Sequence, residues 1–243
     1  MGSESRPDGS DLRARAAEVL ARISAAARRA GRDPSEVKLV AVSKTHAAAL
    51  VRAAAEAAGL RDFGENRVQE AEGKIEELKA VPVQGLRWHL IGHLQPNKAR
   101  KAVRLFDLIH TLDTAALVER LERICVEEGR GRLEVLVQVD LAGEAAKSGA
   151  TESELPSLFE VFERCARVRC RGLMILPPYF EDVEKVRPFF RRLRGLREEW
   201  GARGAFGDAP GELSMGMSHD YEAAIEEGAT LVRVGTALFG ERA

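Results

Sequence analysis

Cysteines, long apolar runs and net charge are all scarce in this sequence of 243 residues, and each scarcity excludes a class of protein. The three cysteines have no metal-ligand spacing, and an odd, sparse count is typical of a reducing compartment without a disulfide framework. No apolar run approaches the ~20 residues of a membrane span. Thirty-seven basic and 38 acidic residues leave a net charge of −1, so no nucleic-acid footprint is visible. We therefore expect a cytoplasmic protein with no nucleic-acid or membrane partner.

The amino-terminal segment divides into a polar stretch and a helical pattern. The polar residues predict a flexible tail over residues 1–10, ahead of a single domain over residues 11–243. Asp11 is suited to cap a helix that runs to about Ala30. The Ala- and Arg-rich composition of this helix also resembles a transit peptide, but its acidic residues favour an ordinary amphipathic helix.

Eight apolar, strand-like runs follow, and most are separated by helical patterns. The runs are Val37–Ser43, Leu60–Phe63, Leu86–Ile91, Leu105–His110, Leu133–Val139, Cys170–Leu173, Glu212–Met215 and Leu231–Val234. Apolar runs that do not alternate, with helices between them, predict a parallel sheet covered by helices. Eight such units in roughly 200–250 residues predict an α/β fold of the (β/α)8, or TIM barrel, type. An open doubly wound sheet is the alternative, which the lack of a Gly-x-Gly-x-x-Gly segment after the first run disfavours.

Lys44 closes the first apolar run, where an ammonium is costly to desolvate. In a barrel this position is the carboxyl end of a strand, where functional groups collect. A lysine whose neighbours lower its pKa has a neutral amine that condenses with an aldehyde. The alternative is a lysine in a loop whose head group reaches solvent.

Two small, hydroxyl-rich turns follow the last two runs. Ser214 to Ser218 contains two hydroxyls and a glycine ahead of a helix, and Gly235-Thr236 adds a second such turn. Loops after strands 7 and 8 of a barrel often bind phosphate. The alternative for Ser218 is a helix cap, which is compatible with phosphate binding. A reactive lysine and a phosphate cradle in one barrel suggest pyridoxal 5′-phosphate (PLP).

Arg233 lies inside the eighth run and is expected to point into the barrel mouth. A buried arginine needs an acceptor, and a pyridine nitrogen is suitable. A buried ion pair with Glu212 is the alternative. His89 and His93 suggest a metal, but no third ligand has convincing spacing, so we expect none. The remaining histidines, His46, His110 and His219, are interpreted as loop residues.

These motifs together resemble one known family over most of the chain, from about Val37 onward. The segments are Ala41-Val42-Ser43-Lys44-Thr45, Phe63-Gly64-Glu65-Asn66, Trp88-His89-Leu90-Ile91-Gly92-His93-Leu94-Gln95, Lys147-Ser148-Gly149, Gly172-Leu173-Met174, Ser214-Met215-Gly216-Met217-Ser218 and Arg233-Val234-Gly235-Thr236. They resemble the YggS/PROSC family of PLP-binding proteins, also called PLP homeostasis proteins.

The resemblance implies a PLP fold-type III barrel similar to the N-terminal domain of alanine racemase. It implies that Lys44 holds PLP as a Schiff base and that Asn66 and Met217 line the cofactor. It implies that Ser218, Gly235 and Thr236 hold the phosphate, with Ser214 close by, and that Arg233 faces the ring nitrogen. Two positions depart from the family pattern, because Ala47 stands where proline is usual and Asp140 where asparagine is usual.

The same site is compatible with a carrier or with an enzyme. A racemase needs acid/base groups on both faces of the cofactor, and alanine racemase takes one of them from a separate β-domain. The sequence ends at Ala243, so we expect no such domain, and Tyr179 and Tyr221 are the only tyrosines. Arg233 at the ring nitrogen would also weaken carbanion chemistry.

We therefore expect a non-catalytic protein of intracellular PLP homeostasis, with no catalytic residue and no metal. A PLP-dependent amino-acid racemase is the alternative. An interaction module that has lost the cofactor is disfavoured, because every residue of the implied cradle is present. A monomer that makes transient contact with PLP-dependent apo-enzymes is the expected partner arrangement.

Overall fold

Eight parallel strands close into a barrel in the computed structural model, which describes residues 9–143 and 148–240. The strands are β1 (Lys38–Val42), β2 (Asp62–Glu65), β3 (Arg87–Leu90), β4 (Leu108–Leu112), β5 (Leu133–Gln138), β6 (Val168–Met174), β7 (Glu212–Met217) and β8 (Leu231–Val234). Each strand pairs with the next along the chain, and β8 pairs with β1, with Val40 opposite Arg233. The predicted (β/α)8 barrel is confirmed, since the β8–β1 pair closes the sheet.

Helices cover the outside of the barrel. They are α1 (Gly9–Arg29), α2 (Ala48–Ala58), α3 (Val68–Lys79), α4 (Ala99–Leu105), α5 (Ala115–Glu127), α6 (Leu155–Glu163), α7 (Arg187–Ala202), α8 (Tyr221–Glu226) and α9 (Thr236–Phe239). Helix α7 begins at Arg187, and Pro188 is tolerated in its first turn because the N–H that proline lacks has no intrahelical acceptor there. Among the helices described, none combines the length and apolar character needed to cross a membrane.

Helix α1 packs against α2, α8 and α9, and so joins the first and last parts of the chain. It begins at Gly9 rather than Asp11, so residues Gly9 and Ser10 of the expected tail are helical. The first turn of α1 lies against the end of α2, since a Cβ at Gly9 would lie 3.7 Å from the Cβ of Ala57 and Arg13 donates to the Ala57 carbonyl. Residues 1–8 lie outside the described part of the chain.

Two apolar clusters hold the barrel together. The larger one lies between the strands and the surrounding helices. The smaller one consists of five buried side chains with Leu176 packed against them, namely Val40, Leu108, Leu136, Met174 and Leu231. Alternation along β4 puts Leu108 and His110 on the same face. Because His110 bonds to Ser214 on the non-adjacent strand β7, this face is the barrel interior, and the smaller cluster lies inside.

Two strands begin later than their apolar runs suggest. Leu105 is the last residue of α4, and Leu60 directly follows the glycine that ends α2, so β4 and β2 start at Leu108 and Asp62. Both strands then continue into polar residues. The interpretation of His110 as a loop residue is therefore wrong, because it is a fully buried residue of β4.

Candidate functional site

Barrel closure brings the predicted site residues to one sector of the rim. Strands β7, β8, β1 and β2 are consecutive around the barrel, and parallel strands place their carboxyl ends at the same rim. The residues within or just after these four strands are Ser214, Met217, Ser218, Arg233, Gly235, Thr236, Lys44 and Asn66. The structure thus brings all eight predicted residues to the same side of the molecule, and their contacts with a cofactor stay a prediction.

Gly216 gives β7 an irregular end. Ser214 pairs with Leu231 and Met217 with Arg233, so β7 contains one more residue than β8 over this interval. Gly216 has φ +91°, and a Cβ there would lie 2.6 Å from the Cβ of Ala224. Only glycine fits both this backbone conformation and the close approach of α8. The bulge lies directly before Met217, which is 38% exposed at the rim.

Ser218 joins the turns after β7 and β8. Its hydroxyl accepts a hydrogen bond from the Gly235 amide at 3.3 Å. The alternative of Ser218 as a helix cap is wrong, because α8 begins after Asp220 and has no side-chain cap. Asp220 instead accepts from the Met217 amide at 2.6 Å. The Ser218 hydroxyl and the Gly235 amide therefore lie together where the sequence predicts a phosphate.

Arg233 is 3% exposed and points into the barrel. Its guanidinium donates to the Ser214 hydroxyl at 2.6 Å and to the Ile175 carbonyl at 2.9 Å. The alternative ion pair with Glu212 is not formed, since that carboxylate lies near Lys38 and Thr230. Burial lowers the pKa of Arg233 to about 10, against the opposing charge of Asp220. The guanidinium therefore stays protonated at neutral pH.

A series of hydrogen-bonded, buried side chains extends from Arg233 across the barrel, and we call it the arginine-side network. From Ser214 it continues to His110 Nδ1 at 2.8 Å, from His110 Nε2 to His89 Nδ1 at 2.9 Å, and from His89 Nε2 to Asp62 Oδ1 at 2.9 Å. Asp62 is the first residue of β2, so this network ends near the amino-terminal rim of the barrel. Burial would raise the pKa of Asp62, but hydrogen bonds from His89 and Arg87 lower it.

A second buried network, the lysine-side cluster, lies behind Lys44 and consists of Ser43, Glu65, Glu70 and Lys74. Lys74 Nζ donates to the Ser43 carbonyl at 2.7 Å and to the Glu65 and Glu70 carboxylates at 2.6 and 2.7 Å. The Ser43 hydroxyl also donates to Glu65 at 2.6 Å. Glu65 is fully buried and Lys74 is 6% exposed.

The lysine-side cluster holds the backbone on both sides of Lys44. Lys74 bonds the carbonyl of Ser43, and Glu70 accepts from the amide of Thr45. Thr45 has φ +69°, a left-handed conformation that is unfavourable for a β-branched residue. Burial raises the pKa of Glu65 despite its bond from Lys74. Burial would raise that of Glu70 too, but its bonds from Lys74 and Thr45 lower it.

Neither tyrosine is arranged as a second acid/base group within the described residues. Tyr179 is 73% exposed, with its ring centroid 5.3 Å from that of His219. Tyr221 is 1% exposed in α8, on the outside of the barrel beside Arg22. Across residues 9–143 and 148–240, no group of three or more potential ligands could hold a metal ion.

The fold is that of the N-terminal barrel domain of alanine racemases. The family described as "Alanine racemase, N-terminal domain" matches residues 16–243. Within it, the chain belongs to the family of pyridoxal phosphate homeostasis proteins. It is 44% identical to the pyridoxal phosphate homeostasis protein of Aquifex aeolicus, over 94% of this chain and 97% of that one. Identity to the protein of the same name from Pseudomonas aeruginosa is 47%, over 93% and 94%.

Solved structures show the same relationship. PipY from Synechococcus elongatus with PLP bound is 43% identical, with a TM-score of 0.74, and the match covers 91% of this chain and all of that one. Alanine racemase from Corynebacterium glutamicum has a TM-score of 0.60 at 18% identity, over 93% of this chain and 61% of that one. The second likeness concerns the fold alone.

The described residues fit PLP at three points. Arg233 has two acceptors for its five N–H donors among the described residues, so donors are left for a ring nitrogen. At Gly235, a Cβ would lie 3.3 Å from Val42, so the turn after β8 lies close against β1. The Ser218 hydroxyl stands beside it for a phosphate. Lys44 follows β1, which pairs with β8, the strand that contains Arg233 and precedes Gly235.

Sequence analysis missed the residues that support the site from behind. Lys74, Glu70, Asp62 and His110 were given no function. Lys74 did carry a signal, since a lysine four residues after Glu70 lies on the same face of α3 as the apolar Ala71 and Leu78. His110 carried none, because its partners are on strands remote in sequence.

Proposed function

We propose that this chain is a non-catalytic PLP-binding protein of intracellular PLP homeostasis, and that it holds the cofactor as a Schiff base on Lys44. One observation carries the proposal: barrel closure brings Lys44, Arg233 and the Ser218–Gly235 contact to the carboxyl ends of three consecutive strands. The names of the relatives and the PLP in PipY support it.

Each group has a distinct task in this proposal. The Lys44 amine bonds to the aldehyde carbon, and the carbonyl oxygen leaves as water. Ser218, Gly235 and Thr236 hold the phosphate, with Ser214 beneath, while Asn66 and Met217 line the cofactor. Arg233, protonated at neutral pH, donates to the ring nitrogen and keeps it unprotonated.

The position of Arg233 supports binding rather than turnover. PLP in enzymes withdraws electrons from a bound amino acid, and a protonated ring nitrogen strengthens that withdrawal. A permanently charged donor at this nitrogen opposes its protonation. The exposed Tyr179 and the outward Tyr221 also leave the second face without a placed acid among the described residues. Racemase chemistry is therefore the less favoured function.

Borohydride reduction tests the covalent site. The purified protein with one equivalent of PLP is expected to be yellow, and reduction should bleach it and leave the phosphopyridoxyl group on the Lys44 peptide. Lys44→Ala should lose both signals. Lys38→Ala is the matched control, because Lys38 lies at the opposite end of the same strand. A reduced adduct that persists in Lys44→Ala at the same yield would refute the assignment.

Proton exchange tests the proposal that the protein does not turn over amino acids. Incubation of the PLP-loaded protein with alanine and other amino acids in heavy water should leave their α-protons in place by NMR. Exchange that depends on Lys44 would establish the racemase alternative instead.

The proposal also includes a cytoplasmic monomer that hands PLP to apo-enzymes by transient contact. The described cysteines, Cys125, Cys165 and Cys170, are all free and buried, which suits a reducing compartment. Sedimentation of the PLP-loaded protein should give a mass near 26.6 kDa. A stable dimer would contradict the monomer, and transfer to an apo-enzyme no faster than release into buffer would contradict the contact.

A further inference from the structure

The barrel interior beneath Arg233 is polar where barrel interiors are usually filled by branched apolar side chains. Ser214 and His110 are fully buried, and His89 is 3% exposed. These groups adjoin the small apolar cluster inside the barrel, since His89 pairs with Leu108 of that cluster and Ser214 pairs with Leu231. A buried polar group that lacks a partner destabilises the fold. The interior therefore has polar groups whose hydrogen bonds must all be satisfied together.

One direction of hydrogen bonding satisfies every member of the arginine-side network. Arginine only donates, so the Ser214 oxygen accepts from Arg233 and the hydroxyl proton is directed to His110 Nδ1. His110 is neutral, since burial, His89 and Arg233 hold its pKa well below the usual value. Its single proton is therefore on Nε2 and is donated to His89 Nδ1. His89 then donates from Nε2 to Asp62.

The reverse direction fails at both ends. It would leave a bare His89 Nε2 facing the Asp62 carboxylate, whose pKa is lowered and which therefore carries no proton at neutral pH. It would also give the Ser214 oxygen two donors and leave the Ser214 proton without an acceptor among the described side chains. The carboxylate at one rim thus selects the tautomer of both imidazoles, and the second imidazole fixes the serine hydroxyl.

We propose that His110 is a positioning residue for Arg233, acting through Ser214, and that the bonds from Asp62 through His89 fix the tautomer this requires. The inference rests on the proposed function in one respect, namely that Arg233 faces the ring of the cofactor. An acceptor at His110 Nδ1 turns the lone pairs of the Ser214 oxygen toward Arg233. That orientation holds the guanidinium where its remaining donors reach a ring nitrogen.

Three variants separate positioning from packing. His110→Leu removes the acceptor for Ser214. His110→Asn keeps a side-chain oxygen near the place of Nδ1 and is the conservative rescue. Leu108→Ala opens a cavity in the same interior, on the same strand and face, without touching the hydrogen bonds.

The first measurement uses the PLP-free protein, and so does not depend on the proposed function. Imidazole ¹⁵N spectra at pH 7.5 should show His110 protonated on Nε2 and bare on Nδ1, and His89 protonated on Nε2. The Arg233 side-chain N–H resonances should shift in His110→Leu and stay in place in Leu108→Ala. A His110 proton on Nδ1, or Arg233 resonances that are unchanged in His110→Leu, would overturn the proposal.

The second measurement uses the PLP-loaded protein. His110→Leu should bind PLP roughly tenfold more weakly and shift its visible absorption maximum, and His110→Asn should restore most of both. Leu108→Ala should keep the wild-type maximum. Wild-type affinity and absorption in a folded His110→Leu would overturn the positioning role. Failure of the wild-type protein itself to bind PLP would refute the proposed function, with the PLP-free spectra still deciding whether His110 positions Arg233.

Discussion

The two polar networks behind the rim differ in how they support the site. The lysine-side cluster joins one ammonium to two carboxylates and holds backbone atoms on either side of Lys44. The arginine-side network ends in two charged groups, Arg233 and Asp62, with one serine and two imidazoles between them. The first network fixes a strained turn, and the second fixes the direction of one side chain. Each suits the group it serves, because Lys44 lies on a turn and Arg233 on a regular strand.

The contrast predicts that substitutions in the two networks affect different properties of the protein. Removing one member of a buried ion pair leaves an uncompensated charge, which is among the most destabilising changes a protein undergoes. Breaking one link among neutral groups leaves a single unsatisfied partner, which costs about 1–3 kcal/mol. We therefore expect substitutions in the lysine-side cluster to act mainly on the free energy of unfolding. Substitutions in the arginine-side network should act mainly on the affinity and absorption of bound PLP.

Lys74→Met should have the largest effect on the free energy of unfolding. It removes the only described cation that contacts both Glu65 and Glu70, so we expect a loss of about 3–5 kcal/mol, measured by urea unfolding. Lys79→Met is the matched control on the same helix, because Lys79 pairs with Glu76 on the surface. An exposed pair contributes about 0–1 kcal/mol.

A second variant sharpens this test. Glu65→Gln combined with Lys74→Met removes the two charges that are most deeply buried and leaves only the partly exposed Glu70, so it should recover part of the stability lost in Lys74→Met alone. If Lys74→Met costs no more than Lys79→Met, the distinction between the two networks is wrong.

Much of the fold was predictable from the sequence, because apolar runs of strand length between helices are local signals. The positions of Lys44 just after β1 and of Arg233 within β8 followed from the same pattern. His110 was not predictable in this way, since its contact with Ser214 spans 104 positions and exists only once the barrel closes. The cap interpretation of Ser218 was wrong for a related reason, because its partner Gly235 is on another strand.

Acid should weaken the fold through His110. Its folded pKa is well below the ordinary 6.5, so below that pH the unfolded chain binds a proton that the folded chain does not. The His110 contribution should therefore fall by about 1.4 kcal/mol per pH unit below pH 6.5. Urea unfolding at pH 7.5, 6.5 and 5.5 measures this slope.

The lysine-side cluster includes a group with the opposite sign, so the comparison must be made between variants. Glu65 has a raised pKa, so its contribution is present at low pH and is lost as the pH rises through that value. His110→Asn should lose the slope assigned to His110, while Leu108→Ala should keep it at lower overall stability. If unfolding free energy falls with acid equally in wild type and in His110→Asn, the conclusion that His110 is neutral in the folded protein is wrong.

Thr45→Asn should have the smallest effect, and it is the one substitution expected to stabilise. Among the described residues, Thr45 is the only non-glycine residue with a positive φ. Asparagine tolerates this conformation better than a β-branched side chain and keeps the amide that donates to Glu70. We expect a gain of about 0.5–1 kcal/mol by urea unfolding, since left-handed backbone costs about 1–2 kcal/mol per residue. If the lysine-side cluster exists to hold this strained turn, Thr45→Asn should also reduce the loss caused by Lys74→Met. Strict additivity of the two substitutions would show that the cluster and the strain are independent.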